Sequence, residues 1–136
     1  MVPSTNRILV ADDDPDILSE VASYLRRRGQ VVIAASSYGE AVQAYDDNAG
    51  TICLLLTDVH MPDGNGTDLV RMVIRRSEGK CPCVVMSGDT GWNDLAPDLK
   101  RAGVRSIEKP FGLSLLYASV VGAMATAGDF CAVFAA

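Results

Sequence analysis

The stretch that decides the fold is Ile52–Asp58, which reads ICLLLTD: an unbroken apolar run that leads into a threonine and an aspartate. A second run of the same kind, Val84–Gly88 (VVMSG), follows later in the chain. Continuous rather than alternating apolar character is typical of strands that are covered on both faces, as the central strands of a parallel sheet are. The two runs therefore predict the middle of a parallel sheet.

Around these two runs, short apolar segments alternate with segments of helical period. The predicted strands are Arg7–Ala11, Gln30–Ala34, Cys53–Thr57, Cys83–Ser87 and Ser106–Glu108, and the predicted helices lie at about 15–28, 38–47, 66–77, 94–102 and 113–126. This repetition predicts an α/β fold with a doubly wound five-stranded parallel sheet and helices on both faces. No G-x-G-x-x-G follows the first strand, which favours the flavodoxin-like strand order 2-1-3-4-5. Pro97 interrupts the fourth helical segment, which we expect to be the least firmly packed.

Composition and charge exclude several classes of protein. The chain has 136 residues, 49% of them hydrophobic, which suits one globular domain. The formal net charge of −5 disfavours nucleic-acid binding, and the basic run Arg26-Arg27-Arg28 ends a helical pattern, where cations suit the helix C-terminus. No apolar run reaches the ~20 residues of a membrane span and no signal pattern begins the chain, so we expect a cytoplasmic protein. Cys81 and Cys83 form the only close cysteine pair and lack the two further ligands that a zinc site needs.

Polar residues follow four of the predicted strands at one edge of the sheet. Asp12 and Asp13 follow the first strand, Asp58 the third, Ser87 ends the fourth, and Lys109 follows the fifth. Ligands of doubly wound sheets bind outside the carboxyl ends of the strands, near the point where the strand order reverses. Three neighbouring carboxylates cannot all stay ionised without a cation, and Mg²⁺ suits such a set. A carboxylate can attack phosphorus, while the metal, an ammonium group and a hydroxyl neutralise the phosphoryl oxygens.

Four segments resemble those of response-regulator receiver domains, in the order and spacing of that family. They are Ile8–Asp14 (ILVADDD), Leu56–Gly64 (LTDVHMPDG), Val85–Gly88 (VMSG) and Lys109–Phe111 (KPF), and the similarity runs from about residue 6 to 125. The resemblance implies a phosphoacceptor domain of a two-component phosphorelay. It further implies that a sensor histidine kinase or a histidine phosphotransfer protein phosphorylates Asp58.

The resemblance also assigns roles within the site. It implies that Asp13 and Asp58 bind Mg²⁺ directly together with the backbone carbonyl of His60, and that Asp12 acts through water. It implies that Ser87 and Lys109 hold the phosphoryl oxygens and that the Lys109–Pro110 peptide is cis.

Neighbouring residues receive more modest roles. We expect Asp14 to cap the first helix, Thr57 to complete its strand, and Asp63 and Asn65 to serve the turn around Gly64 and Gly66. The side chains of His60 and Asp89, which flank the mouth of the site, are expected to tune the lifetime of the phosphoryl group.

Two features depart from the family pattern. Many receivers carry an aromatic residue three positions before the lysine, where this chain has Ser106. We expect a receiver domain over residues 1–126, followed by an apolar tail, 127–136, that contains Phe130, Val133 and Phe134, and no effector domain. The chain is either a complete product or a piece of a longer regulator. A downstream protein partner is expected, and a homodimer could form through the tail or through the face of helix four, strand five and helix five.

Two other functions compete with this interpretation. A Mg²⁺-dependent phosphatase or phosphotransferase with an aspartyl nucleophile generally needs an acid/base carboxylate two residues later, where this chain has His60. A receiver-like fold that no longer accepts phosphate is disfavoured because all five site positions are filled. The sequence therefore favours a signalling domain rather than an enzyme.

Overall fold

A computed structural model describes residues 7–88 and 97–125 of the chain. The strands are β1 (Arg7–Ala11), β2 (Val31–Ala35), β3 (Ile52–Asp58), β4 (His60–Met61), β5 (Gly64–Asn65), β6 (Cys83–Ser87) and β7 (Arg105–Glu108). The helices are α1 (Pro15–Arg27), α2 (Tyr38–Asp47), α3 (Gly66–Arg76), α4 (Pro97–Arg101) and α5 (Leu113–Ala125).

The main sheet has five parallel strands in the order β2-β1-β3-β6-β7. Since β6 and β7 are the fourth and fifth strands of the sequence prediction, the predicted order 2-1-3-4-5 is confirmed. In this register Ala11 pairs with Thr57, and Asp58 pairs with Met86. The carboxyl ends of β1, β3 and β6 therefore reach the same edge of the sheet.

The predicted boundaries need small corrections. Strand β2 begins at Val31 rather than Gln30, because the N–H of Gln30 still donates to the carbonyl of Leu25 and closes the turn after α1. Strand β3 is one residue longer at each end than predicted, since Ile52 pairs with Arg7 and Asp58 with Met86. Strand β7 begins at Arg105, and α1 and α3 each end one residue before the predicted position. The predicted end of α5, at residue 126, lies outside the described residues. The predicted start of the fourth helix, at residue 94, lies outside the described residues.

The core has two halves, one on each face of the sheet. Alternate residues of a strand point to opposite faces. Leu55 accordingly packs with residues of α2 and α3, whereas Leu54 and Leu56 pack with residues of α1 and α5. All seven residues of β3 are buried, as the apolar run predicts. None of the helices in the described ranges combines the length and the apolar character that a membrane span requires.

Local signals fix the first helix as expected. The side chain of Asp14 accepts hydrogen bonds from the backbone N–H groups of Asp16 and Ile17, at 2.9 and 3.3 Å. Pro15 occupies the first turn, where a missing N–H costs nothing. The helix thus begins directly behind the acidic residues that follow β1.

The cysteines of the described residues, Cys53, Cys81 and Cys83, are buried and form no disulfide bond with one another. Burial raises the pKa of Cys83 to about 12. A thiol of this kind behaves as a small apolar side chain and is a poor nucleophile. Cys131 lies outside the described residues.

Because β3 is completely buried, shortening one of its leucines should destabilise the fold far more than shortening an exposed leucine. Leu55 has no exposed surface, whereas Leu115 on α5 is 58% exposed. Leu55→Ala should lower the free energy of unfolding by about 2–5 kcal/mol, because it leaves a cavity in the core. Leu115→Ala should change it by less than about 0.5 kcal/mol. Urea unfolding followed by circular dichroism measures both, and equal effects would contradict the description of the core.

Candidate functional site

Three carboxylates meet at the edge of the sheet where the strand order reverses. Asp12 and Asp13 follow β1, and Asp58 ends β3. Asp12 is fully buried, the Asp58 side chain is 12% exposed and Asp13 is exposed. One oxygen from each of the three carboxylates lies within 4.8 Å of the others. The strand ends therefore bring together the acidic residues that the sequence predicted would meet.

The ammonium group of Lys109 lies between two of these carboxylates. Its Nζ atom is 3.0 Å from Asp12 Oδ2 and 3.4 Å from Asp58 Oδ1. The backbone N–H of Lys109 donates to the carbonyl of Ser87 at 2.7 Å, which continues the pairing of β6 with β7. The Lys109–Pro110 peptide is cis, as expected from the family resemblance. Ser87 ends β6 with its side chain buried.

The electrostatics of the site disfavour the simultaneous ionisation of all three carboxylates. Burial is the main reason that the pKa of Asp58 rises to about 6, and the negative charge of Asp12 adds to it, although Lys109 opposes the shift. Burial also disfavours the charged form of Lys109, but its hydrogen bond to Asp12 and the nearby carboxylates outweigh that effect, so the pKa of Lys109 is raised. One ammonium group thus does not neutralise the cluster.

Both oxygens of Asp12 are already engaged. Oδ1 accepts a hydrogen bond from the backbone N–H of Asp14 at 2.9 Å, and Oδ2 is the partner of Lys109. The Asp12 side chain is therefore held in place by its own chain and has less capacity for a further direct ligand than the exposed Asp13.

The backbone beneath Asp58 is tightly packed. The N–H of Gly66 donates to the carbonyl of Val59 at 2.7 Å, and a Cβ at position 66 would overlap the carbonyl oxygen of Asp58. The Thr57 hydroxyl donates to that same carbonyl at 3.0 Å. Thr57 therefore has the structural role expected of it, and the start of α3 packs directly against the backbone of Asp58.

A small antiparallel hairpin, β4–β5, follows Asp58, and the sequence reasoning missed it. Asp63 at its turn accepts hydrogen bonds from the backbone N–H groups of Tyr38 and Gly39, both at 2.9 Å. These two bonds, that from Gly39 first, lower the pKa of Asp63. A Cβ at Gly64 would collide with the Tyr38 ring, so this glycine allows the hairpin to pack on α2. The structural role expected of Asp63 is confirmed.

Other predicted residues are placed as follows. Asn65 is the N-cap residue of α3, but its side chain makes no capping hydrogen bond. The His60 side chain is exposed on β4. Ser106 is half-buried on β7 and pairs with Val85. Asp89, most of the loop 87–93 and the tail 127–136 lie outside the described residues.

The sequence model of the response regulator receiver domain family matches residues 8–121 of this chain. The chain belongs to this family. It is 35% identical over 108 residues to the chemotaxis protein CheY1 of Helicobacter pylori, a match that covers 77% of this chain and 86% of that one. It is 31% identical over 114 residues to the transcriptional regulatory protein PrrA of Mycobacterium tuberculosis, covering 84% of this chain and 48% of the relative.

Solved receiver structures agree with the fold. The receiver domain of the hybrid histidine kinase CckA is 33% identical and superposes with a TM-score of 0.69, covering 84% of this chain and 94% of that one. Phosphorylation on aspartate and the use of Mg²⁺ are general properties of the receiver family, so this chain is a phosphoacceptor domain of two-component signalling. It spans about half the length of the transcriptional regulators that it matches.

Because the backbone of Gly66 lies so close to that of Asp58, adding one methyl group at position 66 should destabilise the fold. Gly66→Ala should lower the free energy of unfolding by roughly 1–3 kcal/mol, because the new Cβ overlaps the Asp58 carbonyl and overpacks the site. Gly39→Ala is the matched control, since its Cβ would meet Asp63 at an ordinary 3.5 Å within a helix. Thermal unfolding of both variants checks the prediction, and equal stabilities would contradict it.

The raised pKa of Asp58 predicts a pH-dependent gain from removing its charge. The folded state holds a proton on Asp58 up to pH about 6, above the ordinary 3.8, so ionisation of this residue opposes folding at neutral pH. In metal-free buffer at pH 7, Asp58→Asn should therefore raise the free energy of unfolding by about 1–2 kcal/mol, allowing for partial solvent screening. The gain should shrink as the pH falls from 6 towards 4. Urea unfolding across this range measures it, and a gain that grows towards pH 4 would show that the buried charge of Asp58 does not oppose folding.

Proposed function

We propose that Asp58 is the phosphoacceptor residue and that Asp12, Asp13, Ser87 and Lys109 complete its site. The observation that carries the proposal is the convergence of three carboxylates and one ammonium group at the carboxyl edge of the sheet, with Lys109 in contact with both Asp12 and Asp58. This edge is where doubly wound sheets bind their ligands.

In the proposed reaction, a carboxylate oxygen of Asp58 attacks the phosphorus of a phosphohistidine on the partner protein. The new P–O bond forms as the P–N bond breaks, and the leaving imidazole recovers its electron pair and takes up a proton. Lys109 then exchanges one carboxylate contact for a phosphoryl oxygen, and the Ser87 hydroxyl donates to another. The short reach from Lys109 to Asp58, 3.4 Å, supports this exchange.

The residues present fit a divalent metal ion. Their oxygens are hard donors within 4.8 Å of one another, and burial together with the negative charge of Asp12 raises the pKa of Asp58, so a nearby cation would favour its ionised form. We assign Asp13 and Asp58 as direct ligands, with the backbone carbonyl of His60. Asp12 would act through water, because both of its oxygens already have protein partners. When bound, Mg²⁺ neutralises phosphoryl charge that Lys109 alone cannot balance.

The output is proposed to run through α4. Ser106 has no ring that could turn inward, so strand β7 has little to transmit by packing. Helix α4 is short in its described part, anchored by the buried Leu99 and by an ion pair between Asp98 and Arg71 of α3 at 3.2 Å. An exposed pair of this kind contributes at most about 1 kcal/mol, so the ion pair would resist a displacement of α4 only weakly.

Partners and context remain proposals drawn from the family. The phosphoryl donor is a sensor histidine kinase or histidine phosphotransfer protein, and a downstream protein reads the phosphorylated state. The division into a domain, 1–126, and an apolar tail, 127–136, a homodimer through the tail or the face of α4, β7 and α5, and a cytoplasmic location belong to the same proposal. The domain is proposed to assist only its own phosphorylation and dephosphorylation.

The assignment of Asp58 predicts the site of modification. Incubation with acetyl phosphate and Mg²⁺ should add one base-labile phosphoryl group to the wild-type chain and none to Asp58→Asn. Asp63→Asn is the matched control, since Asp63 lies five residues away outside the cluster, and it should be modified to the wild-type extent. Intact mass spectrometry reads the result, and modification of Asp58→Asn at the wild-type rate would refute the assignment.

The proposed role of Lys109 predicts that its removal separates Mg²⁺ binding from the conformational response to a phosphoryl group. Lys109→Ala should still bind Mg²⁺, but beryllofluoride should no longer cause the wild-type changes in backbone amide NMR signals, because the ammonium link to the phosphoryl oxygens is lost. Lys80→Ala, an exposed lysine remote from the acidic cluster, is the control and should respond as wild type does. A full wild-type response in Lys109→Ala would show that Lys109 does not transmit the signal.

A further inference from the structure

A cluster of arginine and tyrosine side chains lies between α1 and α5, apart from the phosphoacceptor site. It consists of Tyr24, Arg27 and Arg28 from the end of α1 and Tyr117 from α5, and we call it the arginine–tyrosine cluster. Both arginines are exposed and both tyrosines are half-buried. Nothing in the phosphorylation chemistry uses these residues.

The Arg28 guanidinium is held by two rings. Its Cζ atom is 5.0 Å from the centre of the Tyr24 ring and 5.3 Å from that of Tyr117, and the two rings meet edge to face at 6.3 Å. The Nη2 atom donates to the Tyr24 hydroxyl at 2.8 Å. The Cζ atom of Arg27 is 6.0 Å from the centre of the Tyr24 ring. A guanidinium fixed in this way loses less conformational freedom when it binds an anion.

In the part of the chain that the structure describes, the guanidinium groups of the cluster form no ion pair with a carboxylate. Across residues 7–88 and 97–125, no ion pair within 4.0 Å involves Arg26, Arg27 or Arg28. Arg26 has a different task, because its Nη2 atom donates to the backbone carbonyl of Val32 at 2.9 Å. Arg27 and Arg28 therefore present two guanidinium groups to solvent on a chain whose formal net charge is −5.

From this geometry we propose that the arginine–tyrosine cluster is a docking surface for an acidic segment of a partner protein. Carboxylates match the fork of guanidinium donors, and the flanking rings pack against the aliphatic parts of glutamate side chains. The overall negative charge disfavours a long polyanion such as nucleic acid, which would meet repulsion beyond two cations. A short acidic peptide can contact the cluster alone.

The arginine–tyrosine cluster lies far enough from the acidic edge that a partner bound to it would leave that edge accessible. Helix α1 begins beside Asp12 and Asp13 and runs away from them, so Tyr24, nine residues after Pro15, lies about 13 Å farther along the helix axis. A partner bound there leaves the acidic edge open to a phosphoryl donor. The surface can thus recruit a partner in both phosphorylation states, and the inference does not depend on Asp58 being the acceptor.

The test is an NMR titration of the uniformly ¹⁵N-labelled full chain with capped hexaglutamate, using capped hexaglutamine and a thymidine hexanucleotide as comparison probes. Hexaglutamate should shift the amide signals of residues 24–28 and 117, and the Nε–Hε signals of Arg27 and Arg28. Arg28→Gln should weaken hexaglutamate binding by about fivefold, as loss of one exposed charge-assisted contact implies. Arg75→Gln is the matched control: it removes the same charge from the last turn of another helix and should leave the affinity unchanged.

Each outcome of the titration supports or overturns the proposal. Localised shifts with hexaglutamate, none with hexaglutamine, and weakening only in Arg28→Gln would support it. Shifts spread over the surface, or equal weakening in Arg75→Gln, would reduce it to unspecific charge attraction and overturn it. Tighter binding of the hexanucleotide than of hexaglutamate would also overturn it, in favour of a phosphate-bearing partner. If Arg28→Gln only lowers the unfolding temperature without changing affinity, the cluster is a structural bridge between α1 and α5 and the proposal fails.

Discussion

Repulsion among the carboxylates of Asp12, Asp13 and Asp58, opposed by the ammonium group of Lys109, is the constraint on which the site depends. The parallel sheet creates it, because its register brings the ends of β1 and β3 together. Burial adds to the cost of ionising Asp58, since the largest cause of its raised pKa is the loss of water around the carboxylate. A buried cluster of carboxylates with one ammonium group favours the binding of a further cation.

The rest of the structure holds this unfavourable arrangement in place. The stability needed for it comes from β3, whose leucines are buried against helices on both faces. Gly66 lets the chain turn directly beneath Asp58, and the Asp63 contacts tie the following hairpin to α2. Asp58 is thus fixed by backbone contacts on each side.

Much of this could be predicted from sequence for a simple physical reason. Apolar runs such as Leu54–Leu56 mark central strands, and the carboxyl ends of parallel strands must share an edge, so the meeting of Asp12, Asp58 and Lys109 follows from strand order alone. The β4–β5 hairpin was missed because two-residue strands carry no periodic signal. The contact of Asp63 with α2 joins residues 24 and 25 positions apart, and that of Arg28 with Tyr117 joins two helices. Such contacts depend on tertiary packing, which local patterns do not encode.

If the acidic cluster binds one divalent cation, as proposed, Mg²⁺ should stabilise the folded chain, and a Mg²⁺ titration of protein stability measures this. A ligand that binds only the folded state raises the free energy of unfolding with the logarithm of its concentration. Urea unfolding at pH 7 should show this rise for the wild-type chain, with the slope of one bound ion, and no rise for Asp13→Ala. A wild-type stability that does not change with Mg²⁺, or an identical rise in Asp13→Ala, would contradict the proposed cation site.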